Sequence, residues 1–167
     1  MRIASLPRSG LICLLLAAGW AQQPPSAILK VSGDVPNALA LTADNLGQMP
    51  RETAVLNNEH DGSQTTYEGV LLREILKKAG APFGHDLRGK ALTSYVVAKA
   101  SDGYQVIFTL AELDADLANE RILVADKRGG QALSEHDGPL RLVVAGDKRP
   151  ARAVRMLQEI QVVQVAK

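Results

Sequence analysis

The chain has 167 residues, 46% of them hydrophobic, with 19 basic against 18 acidic side chains. This composition suits one compact domain rather than several or a disordered chain. A formal charge of +1 and an aromatic content of 4% exclude a protein-wide basic footprint for nucleic acid and a stacking platform for single strands.

Met1 to Gly10 carries Arg2 and Arg8 and no acid, Leu11 to Ala18 is an apolar run, and Gly19-Trp20-Ala21 offers the small residues that signal peptidase reads. The pattern predicts a secretory signal peptide over 1–21 and a domain over 22–167. The apolar run is about half the roughly 20 residues needed to cross a bilayer, so a retained anchor is the weaker reading and no span is expected in the mature form. Arg2 and Arg8 make no twin-arginine pair, so the expected destination is the periplasm or the medium by the general route, after cleavage near Ala21. Removing the leader takes away Cys13, the one cysteine, and leaves no thiol for a disulfide, a nucleophile or a metal.

Ala27–Ser32 and Ala38–Leu41 read as short strands around the Gly33–Asn37 turn, and Thr42 as the cap of a helical turn through Leu46. Thr53–Leu56 and Thr65–Tyr67 flank a polar loop and predict a hairpin. Val70–Ala79 has the periodicity of a helix that covers a sheet, closed by Gly80 and Pro82. Leu92–Ala100 and Tyr104–Leu110 form a second predicted hairpin, because Asp102-Gly103 suits the positive backbone angles of a tight turn. Ala111–Leu117 adds a helical turn, and Arg121–Ala125, Leu140–Ala145 and Ile160–Val165 are further strands. Seven to nine strands with two or three short helices give an α+β class with mixed β-sheets.

Three constellations bear on chemistry. Arg141, Lys148, Arg149, Arg152 and Arg155 fall within fifteen residues, opposed only by Asp147. Guanidinium forks match phosphate or carboxylate oxygens, so this segment is either an anion cradle or a solvated, charged sheet edge. His60-Asp61, His85-Asp86 and His136-Asp137 repeat a His-Asp pair, but they lack the spacing that gathers metal ligands and read first as turn residues. Ser63, Ser94, Ser101 and Ser134 lack a nucleophile elbow, and no Gly-rich phosphate loop occurs. Asp102 and Tyr104 are cleft candidates, with structural roles in the turn as the simpler reading.

Three segments, Tyr67-Glu68-Gly69-Val70-Leu71-Leu72, Ser101-Asp102-Gly103-Tyr104 with Ala111-Glu112-Leu113, and Gly138-Pro139-Leu140-Arg141-Leu142-Val143-Val144, resemble in order and spacing the molybdopterin-binding domain of the sulfite oxidase family. The resemblance spans nearly all of the mature chain and is nearest to small exported stand-alone versions of that domain. It implies an α+β fold of mixed sheets. It also implies a pterin phosphate held by basic side chains after the Gly-Pro-Leu-Arg strand, where Lys148, Arg149, Arg152 and Arg155 stand here. The family's enzymes bind molybdenum through a cysteine thiolate, and members that carry the assembled cofactor to the periplasm generally travel already folded by the twin-arginine route; this sequence departs from both patterns.

The sequence therefore predicts a non-catalytic periplasmic module that holds a small anionic ligand or docks an envelope protein. No cofactor is expected, and molybdopterin is the candidate if one is bound. The alternative is a molybdopterin-dependent oxidoreductase or a subunit of one.

Overall fold

A computed structural model describes residues 28–57 and 63–165. Its strands are β1 (Leu29–Gly33), β2 (Leu39–Leu41), β3 (Arg51–Asn57), β4 (Gln64–Leu71), β5 (Ser94–Ala100), β6 (Gln105–Thr109), β7 (Ile122–Arg128), β8 (Gln131–Ala132), β9 (Arg141–Val144) and β10 (Leu157–Gln164). Three short helices join them: α1 (Ala43–Gly47), α2 (Leu72–Lys78) and α3 (Leu110–Leu113).

The first sheet runs β2-β1-β10-β5-β6 and is mixed, since β1 pairs parallel to β10 while its other neighbours are antiparallel. The second runs β3-β4-β7-β8, with β9 also on β7, and is antiparallel throughout. This is the α+β architecture of mixed sheets and few helices that the sequence predicts. One core fills the space between the sheets. Val31, Val96, Phe108 and Ile160 enter it from the first sheet, Val70, Val124 and Leu142 from the second, and Ile75 and Leu76 from α2.

Several local predictions match. Thr42 caps α1, accepting from the Asn45 amide at 3.2 Å, and Gly103 takes φ +90° in the β5–β6 hairpin. Thr109 caps α3 in a box with Glu112, so that helical turn begins one residue before the expected Ala111.

Others need correction. The helix expected from Val70 starts at Leu72, because Val70 and Leu71 still belong to β4 and pair with Val124 and Leu123. Both faces of β4 are covered there, and two consecutive buried apolar residues at a strand end imitate the start of a helix. Leu92, expected in a strand, lies in a 3₁₀ turn, Gly89–Thr93, and is exposed. The last strand begins at Leu157, three residues earlier than expected. The His60-Asp61 pair lies outside the described residues.

A β-bulge at Glu68–Gly69 sets which side chains share the outer face of the second sheet. A Cβ at Gly69 would stand 2.0 Å from the Val124 carbonyl oxygen, so only glycine lets the two strands approach there. On either side of the bulge, Tyr67, Leu71, Leu123, Ala125 and Val143 form a second, smaller apolar cluster on that outer face.

Candidate functional site

The outer face of the second sheet carries the densest grouping of cations. Register places Tyr67 of β4 opposite Arg128 of β7, and Ala125 of β7 opposite Arg141 of β9. The Tyr67 ring is buried, with the Arg141 guanidinium 5.3 Å and the Arg128 guanidinium 6.0 Å from its centroid. Both cations reach one carboxylate. Arg141 Nη1 donates to Asp137 Oδ1 at 2.9 Å, and Arg128 Nη1 lies 3.9 Å from Asp137 Oδ2.

The turn that carries Asp137 brings a third cation. The Met156 amide donates to the Asp137 carbonyl at 3.0 Å, which holds Arg155 against the turn, and Arg155 Nη1 contacts His136 Nε2. Three guanidinium groups thus meet one turn whose buried carboxylate is Asp137, while Glu135 beside it is exposed and pairs with none of them. Arg141 Nε is buried without a hydrogen-bond partner, which leaves an unused charged donor in the cluster.

The remaining predicted basic residues go elsewhere. Arg152 follows the 3₁₀ turn Pro150–Arg152 toward the first sheet, where Nε and Nη2 hold both Asp147 oxygens at 2.9 and 2.5 Å and Nη1 reaches Glu112 Oε1 at 3.1 Å. Its guanidinium also lies 5.0 Å from the Phe108 centroid. The Asp147 hydrogen bonds hold Arg152 above its ordinary value against the opposing cost of burial. Burial pushes Glu112 upward, but hydrogen bonds from the Thr109 amide and hydroxyl and from Arg152 outweigh it, so its carboxyl lies below the ordinary 4.5. Arg152 is therefore a strap between the 147–152 segment and α3. Lys148 and Arg149 are exposed and pair with no described residue.

Asp102 and Tyr104 sit at the tip of the β5–β6 hairpin. Asp102 Oδ1 accepts from the Tyr104 amide at 2.9 Å, the turn role that was the simpler reading. The Tyr104 hydroxyl donates to the Ala151 carbonyl and so ties the hairpin to the basic segment next to Arg152. The five predicted cations hence divide: Arg141 and Arg155 gather at the Asp137 turn, Arg152 is neutralised across the molecule, and Lys148 and Arg149 face solvent. Sequence reasoning missed Arg128 and Tyr67. Their opposition is a consequence of the bulged β4–β7 register, and no local motif announces it.

Farther along the same outer face, a shallow depression is lined by Val55, Leu71, Leu123, Ala145 and Arg121. Arg121 is engaged by Glu52 at 2.8 Å, so this end of the face is apolar and locally neutral.

The donor set answers which ligand chemistry fits. Among the described residues no three His, Cys, Asp or Glu side chains gather as a metal site, and the sequence's one cysteine, Cys13, lies outside them. Molybdenum in the family that the sequence resembles takes a cysteine thiolate, and the described residues hold no thiol, their sulfur being the thioethers of Met49 and Met156. The described side chains thus lack the thiolate that the metal takes there. An oxyanion does fit, since a guanidinium fork bonds two oxygens of a phosphate or sulfate at once.

Residues 19–167 match the profile of the oxidoreductase molybdopterin binding domain family. Among solved structures, the sulfane dehydrogenase SoxCD from Paracoccus pantotrophus is similar, with 23% identity and a TM-score of 0.60 over 83% of this chain. The likeness spans 38% of that protein's chain and shows a shared fold. No curated protein matches this sequence.

Proposed function

Because this chain belongs to the oxidoreductase molybdopterin binding domain family, we propose that it is a non-catalytic member, exported to the periplasm, that binds a small oxyanion or phosphate-bearing ligand. The observation that carries this reading is the sharing of one buried carboxylate, Asp137, by Arg128 and Arg141, with Arg155 on the same turn and a buried Arg141 Nε left unused. The excess positive charge sits against the Tyr67 ring on a face with an apolar floor, where an anion loses less of each hydrogen bond to water than on open surface. Lys148 and Arg149 draw anions toward the domain by long-range attraction. Arg152 contributes by fixing the segment that carries them.

The lack of a thiol among the described residues, whose sulfur atoms are the thioethers of Met49 and Met156, supports a module without oxo-transfer chemistry, which leaves ligand retention or docking to an envelope protein as its task. The family match over 19–167 favours a second reading, a molybdopterin-dependent oxidoreductase subunit whose metal ligand comes from another chain. Calorimetric titration with phosphate and sulfate tests the anion site. Arg128→Gln with Arg155→Gln, both at exposed side chains, is expected to weaken binding at least about tenfold, since charged hydrogen bonds of about 1.5–3 kcal/mol are lost. Unchanged affinity in a folded double variant removes the site.

A further inference from the structure

The free edge of the first sheet carries an inference that does not depend on the anion site. Strand β6 pairs with β5 on one side only, and its sequence Gln105-Val106-Ile107-Phe108-Thr109 contains no charge. Edge strands are ordinarily protected by charge, by shortness or by a covering segment. The other edges show these devices. β2 has three residues and β8 two, β3 carries Arg51 and Glu52, and the Leu142 amide of β9 donates to the Val154 carbonyl at 2.7 Å. Among the described residues, the outward side of β6 is covered only at its Thr109 end, by the Glu112 carboxylate.

Hydrogen-bond parity shows what this edge offers. The Ala100 amide donates to the Tyr104 carbonyl at 2.9 Å, which makes Ala98–Val106 and Val96–Phe108 the bonded pairs of the hairpin. Gln105, Ile107 and Thr109 therefore aim their backbone groups away from β5. The Thr109 amide is taken by Glu112 Oε2 at 2.6 Å, and the outward groups of Gln105 and Ile107 bond no described residue. The Ile107 side chain is 58% exposed beside them. Tyr104 and Phe108 meet the 150–152 turn, through a hydroxyl and a ring, and leave the outward amides open.

We propose that β6 is an interface for a second copy of this chain, paired antiparallel about a two-fold axis at Ile107. The strand is self-complementary in that register. Ile107 faces Ile107 of the second copy, Gln105 faces its Thr109, and Val106 faces its Phe108, so apolar meets apolar and polar meets polar on the exposed side. The two Ile107 residues exchange reciprocal amide–carbonyl bonds, and these carry the contact, since the Thr109 amide is held by Glu112 and its carbonyl by the first turn of α3. No charge on the strand selects an acidic or basic foreign segment, whereas the two-fold register satisfies the outward amide and carbonyl of Ile107 and covers its exposed side chain. An interface of one short strand pair is at the small end of specific contacts, so the dimer is weak and depends on concentration.

Sedimentation velocity of the purified exported protein over a concentration series tests this. The wild type is expected to shift from monomer to dimer as concentration rises. Ile107→Lys places like charges face to face and is expected to weaken the dimer about tenfold or more. Gln105→Lys, which keeps the isoleucine, gives a second reading if the first variant fails to fold by circular dichroism. Val55→Lys, at an exposed position on β3, is the control and leaves the dimer unchanged. A wild type that stays monomeric up to its solubility limit overturns the proposal, whether or not a foreign strand is then found on the edge. A dimer that both β6 variants form as readily as the wild type also overturns it.

Discussion

Replacing Asp137 by Asn keeps the shape of the side chain and removes the charge that offsets Arg128 and Arg141. Its effects on stability and on anion binding should then have opposite signs. The Arg141–Asp137 pair has side chains 15% and 11% exposed, so its loss leaves a mostly buried guanidinium without its counter-charge. Breaking such a pair costs about 3–5 kcal/mol when burial is complete, and a charged hydrogen bond alone about 1.5–3 kcal/mol, which brackets this site at about 3 kcal/mol. Arg128 adds little, because its contact is 3.9 Å long and its side chain 54% exposed. For a chain of this size, about 3 kcal/mol lowers the melting temperature by roughly 6–12 °C. Phosphate would then take the place vacated by the carboxylate charge, and its affinity should rise about tenfold, equivalent to roughly 1.4 kcal/mol. Differential scanning fluorimetry with and without phosphate, paired with calorimetric titration, reads both quantities. A folded Asp137→Asn protein that binds phosphate no better than the wild type refutes the competition between carboxylate and ligand on which this reasoning depends.

The Glu112–Arg152 strap makes a pH-dependent contribution. A carboxyl whose folded value lies below 4.5 adds stability that is fully present above that value and is lost as pH falls through the lowered one. Glu112→Gln should therefore melt below the wild type at pH 7, with the gap closing as the pH drops under 4.5, and a gap independent of pH contradicts the assignment. Glu159, lowered mainly by the Ser32 hydroxyl and by Lys99 and Lys30, adds to the same acid lability of the wild type. Gly69→Ala forces a Cβ onto the Val124 carbonyl and should destabilise the domain by about 2 kcal/mol or more, checked by urea unfolding. A neutral Gly69→Ala would mean that the bulge does not hold the β4–β7 register.

Local chemistry was legible in the sequence where neighbours along the chain decide the outcome. The Asp102-Gly103 turn and the Thr42 cap need only their own residues, and the structure has both. The order of the Tyr67–Leu72, Ser101–Tyr104 and Gly138–Val144 segments carried the family and its fold. Register between distant strands was not legible. Val70 and Leu71 read as helix because their partners, Val124 and Leu123, lie more than fifty residues away. For the same reason the basic run looked like one cradle. The backbone from Asp147 to Arg155 crosses between the sheets, so Arg152 turns to Glu112 while Arg155 turns to His136. Arg128 entered the cluster through a bulge that shifts β7 by one residue against β4.

A domain of this family that keeps a cationic ligand face without a thiolate for a metal should be exported empty of molybdenum. Elemental analysis of the protein purified from a host that exports it and makes the molybdenum cofactor tests that most directly. The expected result is molybdenum far below one atom per chain, together with phosphate binding that depends on Arg128 and Arg155. Close to one tightly held molybdenum per chain contradicts it.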